Sequence, residues 1–314
     1  MFGFLRKRIE RCLRESIRPT LVEEMRVQME YALRRQTLMQ SALHCQEMGI
    51  EETHESRNKD IEETGGHKTQ LIVSLTTHGE RLYEVWLAIE SIMQGTVKPS
   101  AIVLWLGENE PEEMPISLRR QMKRGLTIRR TRDIRSYTKL VPALQHYPEA
   151  DIVTIDDDIL YPPDFLENLL LMHRLHPQAI VANKVMRLRR AQDGVPEGIR
   201  EWPYTLETSG EGDADLFFEG FGGVFYPAHS MPEEALNEDV FSTISPTNDD
   251  AWFNAMARLA HCPIVPCNVH PNDYIAAVNP NVQSTALYHT NNTAENLNDK
   301  QIRNIWEHYR LQGQ

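Results

Sequence analysis

From residue 68 onward, short apolar runs alternate with stretches whose apolar residues recur at helical spacing. Residues 70–75 and 101–106 are largely apolar and read as buried strands, with a shorter third strand at 126–129. Between them, residues 81–94 place Leu82, Val85, Trp86 and Ile89 on one helical face, and residues 112–124 predict a second helix. A helix around 139–146 leads into the apolar run 151–155. A helix over 164–175 and a strand at 179–182 follow. Apolar strands separated by helices predict an α/β fold, a mainly parallel, Rossmann-like sheet sandwiched by helices. Ligands of such sheets bind beyond the carboxyl ends of the strands.

Residues 1–65 follow another pattern, rich in Arg, Glu, Gln, Met and Leu, and read as a helical extension and linker before a main domain at 66–314. Phe2, Leu5, Ile9, Leu13 and Ile17 recur at helical spacing among Arg6, Lys7, Arg8, Arg11, Arg14 and Arg18. This basic amphipathic helix suits an anionic membrane surface, or packing on the main domain or on a second copy of the chain. The acidic, polar stretch 46–66 ends in Gly65 and Gly66 and reads as the linker.

A net charge of -12 disfavours a nucleic acid as the main partner. No apolar stretch approaches the roughly 20 residues of a membrane helix, and no secretory signal is evident. Cys12, Cys45, Cys262 and Cys267 lack CxxC spacing and read as reduced thiols of a cytoplasmic protein. His261, Cys262, Cys267 and His270 invite comparison with a zinc site. Pro263, Pro266 and the strand-like Ile264 and Val265 between the cysteines argue against it.

The run 151–155 ends abruptly in Asp156, Asp157 and Asp158. Strand residues alternate faces, so Asp156 and Asp158 face one way and Asp157 the other. Two acids on one face repel unless a cation lies between them, and oxygen donors suit Mg²⁺ or Mn²⁺ completed by phosphate oxygens. The plainer alternative is a polar loop capping the next helix. Residues 76–81 form a polar turn at the end of the first strand, facing the same crevice. Lys139 could neutralise a diphosphate. Glu219 precedes Gly220, Gly222 and Gly223, a loop over which a ligand can approach the backbone. Asn248, Asp249 and Asp250 open a helix, and one of the first two caps it. A second acid there is available as a general base. His289 lies in a late polar loop as a candidate third metal ligand. Trp202, Phe221 and Trp252 are candidate sugar-stacking or core aromatics.

In this order, the acidic run, the glycine loop and the Asp249–Asp250 pair resemble the DxD, glycine-loop and "ED" elements of GT-A glycosyltransferases. Residues 73–77, 102–106 and 137–140 look like bacterial surface-polysaccharide glycosyltransferases related to the family-2 type, over about residues 70–292. The resemblance implies a nucleotide-sugar donor, UDP-linked by default, whose diphosphate is bridged by Mn²⁺ or Mg²⁺ to Asp156 and Asp158. His289 would complete the metal site if its loop folds back. Lys139 would touch the phosphates; Thr76, His78 and Asp133 would lie near the nucleoside, with Asp157, Gly222 and Gly223 in the same donor site. Asp250 would deprotonate the acceptor hydroxyl for inverting attack, and Asp249 would position it. Asp at the first "ED" position departs from the family and leaves the base open between the two. A glycan or lipid-linked acceptor is implied, at the inner face of the membrane if the N-terminal helix binds there. The competing readings are a nucleotidyltransferase, for which the turn after the first strand has too few glycines, and a non-catalytic scaffold.

Overall fold

The computed structural model describes residues 19–47, 69–207, 215–267, 277–279 and 296–311. Its centre is a seven-stranded sheet of β1 (Leu71–Thr77), β2 (Ala101–Gly107), β3 (Leu126–Thr131), β4 (Asp151–Thr154), β6 (Ile180–Ala182), β9 (Val224–Tyr226) and β10 (Ile264–Pro266). The order is β10-β6-β9-β4-β1-β2-β3. All pairings are parallel except those of β9, which runs antiparallel to both β4 and β6. Two small ladders lie outside it. The strand β5 (Ile159–Leu160) pairs with β11 (Ala277–Val278), and β7 (Val185–Arg187) pairs with β8 (Leu216–Phe218).

Helices cover both faces, as the apolar strands require. Leu71, Val73 and Leu75 of β1 join one core with Ile102, Leu104 and Leu106 of β2. This core is closed by α2 (Trp86–Met93), α3 (Ile116–Met122) and α5 (Phe165–Leu175). Ile72 lies in the opposite core with Val103 and Trp105, under α4 (Val141–His146), α6 (Glu238–Ile244), α7 (Asp249–Leu259) and α8 (Leu297–Tyr309). Alternate residues of each strand thus enter different cores.

The predicted strands and the helix 164–175 are present with small shifts at their ends, while two helices are shorter than their periodicity suggests. Residues 79–83 form a 3₁₀ turn instead of the first turn of α2, beginning at Gly79 with φ +56°. The second starts only after Pro115, since a proline interior to a helix loses a hydrogen bond.

The N-terminal helix α1 (Pro19–Glu47) begins at Pro19, where a missing N–H costs nothing. It packs on the rest of the fold through buried Tyr31 against Leu87 and Leu160, and Arg34 Nη1 donates to the Leu160 carbonyl at 3.1 Å. The basic amphipathic segment before Pro19 and most of the linker lie outside the described residues. No helix among the described residues is long and apolar enough to cross a membrane.

The sheet order reverses between β1 and β4: β2 and β3 extend to one side of β1, whereas β4 is added on the other. Crevices at such switch points are where open α/β sheets bind ligands.

Candidate active site

β1 and β4 end side by side at this reversal, and their last residues begin the site. Thr77 Oγ1 donates to Asp157 Oδ2 at 2.6 Å. β4 stops at Thr154, so strand alternation does not reach the three aspartates. Arg81, from the turn after β1, instead pairs with both Asp157 (Nη1, 3.2 Å) and Asp158 (Nη2, 2.6 Å). Asp156 is held separately. Its N–H donates to Tyr161 Oη at 2.9 Å, Tyr161 donates to the Phe221 carbonyl at 3.1 Å, and Lys139 Nζ lies 2.9 Å from Asp156 Oδ1. Burial raises the Asp157 pKa to about 7, with Arg81 opposing and Asp158 reinforcing the shift.

Lys139 closes the 3₁₀ turn 135–139 that follows β3, and Ser74 Oγ of β1 donates to its carbonyl at 2.6 Å. Its ammonium reaches Asp249 Oδ2 at 3.3 Å as well as Asp156. Burial works to lower its pKa, but the carboxylates of Asp156, Asp249 and Asp250 outweigh it and hold Lys139 well above the ordinary lysine range. One buried cation therefore joins the loop after β4 to the start of α7.

At the start of α7, Asn248 is the cap, its side chain accepting from Ala251 N at 2.9 Å. Both following acids are therefore free of capping duty. Asp249 is buried, and its Oδ2 has no hydrogen bond beyond the ionic contact with Lys139. Asp250 is less buried, and Oδ1 accepts from Gly220 N at 2.9 Å. Burial, then the neighbouring Asp249, pushes the Asp250 carboxyl well above its ordinary pKa.

Gly220 is the glycine that faces the acids. A Cβ there would lie 2.7 Å from Asp250 Oδ1 and 2.8 Å from Lys139 Nζ. Gly222 accommodates Lys184, and Gly223, at φ +87°, accommodates the Phe165 ring. Gly220→Ala is expected to displace Asp250 and Lys139 and to lower turnover by about 10²-fold, the scale of a misplaced catalytic group. Steady-state kinetics beside an unchanged melting curve checks it.

The other predicted residues are distributed around this cluster. Thr76 Oγ1 donates to the Trp105 carbonyl at 3.0 Å, and His78 is exposed just beyond β1. Asp133 is exposed, accepts from Arg135 N at 2.8 Å and lies beside Gly107 at the end of β2. His289 lies outside the described residues, and Cys262 and Cys267 are not joined in a disulfide. Trp202 and Trp252 are buried in the core, whereas Phe221 is only partly buried. Sequence reasoning did not single out Arg81, Tyr161, Lys184 or Tyr204. Arg81 had one available signal, as the cation of a turn opposite three acids.

No family model and no curated protein matches the chain. Solved structures do. A mannosyltransferase of Pyrobaculum calidifontis in complex with GDP-Man and Mn²⁺ matches at 15% identity and TM-score 0.43, over 77% of this chain and 70% of that one. A 4-diphosphocytidyl-2C-methyl-D-erythritol synthase matches at 11% identity and TM-score 0.41, over 69% of this chain and 97% of that one. A CMP:2-keto-3-deoxy-manno-octonic acid synthetase complexed with CTP matches at 10% and 0.37, over 63% and 89%.

Asp156, Asp157, Asp158, Asp249, Asp250 and Glu219 outnumber the nearby cations Arg81, Lys139 and Lys184. Asp249 Oδ2 accepts no hydrogen bond, although the Lys139 ammonium stands 3.3 Å from it. The donors are hard oxygens, which fit Mg²⁺ or Mn²⁺. Among the described residues no three His, Cys, Asp or Glu side chains converge on one metal position. Phosphate oxygens and water would complete the coordination, as is usual for Mg²⁺.

Proposed function

We propose that the protein is a metal-dependent GT-A glycosyltransferase, which moves a sugar from a nucleoside diphosphate to a glycan or glycolipid acceptor with inversion, in cell-surface polysaccharide synthesis. The observation that carries this reading is the convergence of four distant segments on Lys139 and Asp250. The loop after β4, the turn after β3, the glycine turn and the start of α7 meet there within hydrogen-bonding or ionic distance.

Asp156 and Asp158 would hold a Mn²⁺ or Mg²⁺ ion, which when bound neutralises charge on the departing diphosphate. Lys139 supplies a permanent positive charge at the same end of the sheet, and its burial keeps that charge from being screened by water. Thr76, His78 and Asp133 border the nucleoside side, at the ends of β1 and β2. Asp250 is the better base of the acid pair: it is less buried than Asp249, is oriented by the Gly220 N–H, and has a raised affinity for a proton. Asp249, paired with Lys139, positions it. Arg81 anchors Asp157 and Asp158 so that the acid run keeps one conformation.

Thermal-shift titration with UDP, GDP, CDP and dTDP, each with and without Mn²⁺, tests the donor site. One diphosphate is expected to stabilise the protein only with metal, by about 2.7 kcal/mol at a hundredfold excess over Kd. Stabilisation by none of them would overturn the reading. Acceptor-dependent release of the nucleotide then distinguishes transfer from hydrolysis. A lipid-linked acceptor fits the basic residues of positions 6–18. Removing residues 1–20 is expected to abolish sedimentation with anionic vesicles, and unchanged sedimentation would remove the membrane from the proposal.

A further inference from the structure

Beside Asp250 lies an aromatic side chain whose surroundings are unusual for a surface residue. Tyr204 is 59% exposed, yet its hydroxyl donates to Glu219 Oε2 at 2.6 Å and Lys184 Nζ stands 5.2 Å from its ring centroid. The backbone around it is equally constrained. Thr205 N donates to the Val185 carbonyl and Arg187 N to the Pro203 carbonyl, both at 2.9 Å, so Tyr204 is pinned alongside β7. β7 pairs with β8, and Glu219 follows β8 directly, its N–H donating to the Lys184 carbonyl at 2.9 Å. The next N–H, of Gly220, donates to Asp250 Oδ1. Two hydrogen bonds, joined through Glu219 and its peptide link to Gly220, thus connect an open aromatic ring to the candidate base.

An exposed ring costs solvation and has no packing reason to be held so firmly. A pyranose offers the complementary surface: an apolar C–H face for the ring, and peripheral hydroxyls for a carboxylate and an ammonium. The surroundings also select by charge. Glu219, Asp249 and Asp250 lie together; the Lys139 ammonium is taken up by Asp249 and Asp156, and that of Lys184 is opposed by Glu219. A second carboxylate brought into this group would be repelled. We infer that Tyr204, Glu219 and Lys184 form the acceptor subsite and bind the apolar face of a neutral pyranose in preference to a uronic acid. The inference rests on the proposed sugar transfer for its role, but its geometry is independent of the donor site.

The test is saturation-transfer NMR on the full chain with methyl β-D-glucopyranoside, methyl β-D-galactopyranoside, methyl α-D-mannopyranoside and methyl β-D-glucuronide. At least one neutral glycoside is expected to give ring-proton transfer, with the glucuronide weaker. Tyr204→Ala is expected to weaken that binding about 10-fold, the scale of one aromatic contact, and Tyr204→Phe to restore most of it. Because Tyr204 is exposed, both variants are expected to keep the parent melting curve and nucleotide response. Glycoside signals unaffected by Tyr204→Ala, or a glucuronide bound best, would overturn the inference. Nucleotide binding with no glycoside signal would leave transfer standing and remove the subsite. Tyr204-dependent glycoside binding without any nucleotide response would sustain the subsite and remove transfer.

Discussion

Asp250→Asn is expected to lower sugar transfer by about 10²–10⁴-fold, the range of a lost general base. The metal-dependent nucleotide response is expected to survive. The substitution retains size and one carbonyl oxygen, which can still accept the Gly220 N–H that orients the parent carboxylate at 2.9 Å. What disappears is proton affinity. In the parent protein burial and Asp249 raise the Asp250 pKa well above the usual carboxylate value. A base works only when deprotonated, so kcat is expected to rise with pH through that raised pKa and to reach a plateau above it. The Asn variant is expected to lose this limb of the profile along with the rate. Transfer assays across pH, with thermal shift on the diphosphate found for the parent, check both. Near-parent turnover would move the base to Asp249 or dismiss it from this helix end.

Trp252→Ala is expected to cost about 3–5 kcal/mol of stability, the range for deleting a large buried aromatic. The indole is fully buried, its Nε1–H donates to the Ala235 carbonyl at 3.1 Å, and it meets Phe241 and Tyr309 edge-on at 5.7 and 5.8 Å. The loss includes the cavity left behind and the Ala235 carbonyl left without its partner. Urea unfolding gives the value. A variant with parent stability but poor acceptor use would instead place Trp252 against sugar, contrary to its burial. The same substitution acts on the site indirectly, since Trp252 lies in the first turns of the helix that carries Asp249 and Asp250.

The sheet was legible because its strands declare themselves locally. Residues 71–75 and 101–106 are apolar on both faces, which only a strand covered by helices on either side tolerates, and both cores are found. The antiparallel β9 had no such signature. Its three residues look like any buried strand, and their direction depends on the excursion through β7 and β8 that precedes them. The helix ends were also harder to read. A 3.6-residue rhythm in 81–94 says nothing about the positive φ of Gly79, which begins a 3₁₀ turn there.

Within the site, residue types alone pointed to Asp156, Asp158, Lys139, Asp249 and Asp250, because an excess of acids at a strand end and at a helix start has no cheap structural use. Asn248 illustrates what remained open. Asn248 and Asp249 are equally good caps in sequence, and only the bond to Ala251 N assigns the duty to Asn248. The glycine loop was similar: three candidate positions were visible, but Gly220 alone abuts Asp250 and Lys139.

Local pattern therefore determined the α/β class, the positions of its parallel strands and the chemical types collected at their carboxyl ends. Tertiary structure decided the pairings. Lys139 joins Asp156 to Asp249, Arg81 joins Asp157 to Asp158, and Tyr204 reaches Asp250 through Glu219 and Gly220. The physical reason is range. Hydrophobic periodicity is set by neighbours a few residues apart along the chain, whereas a charge selects its partner among groups that only the folded sheet brings within a few ångströms.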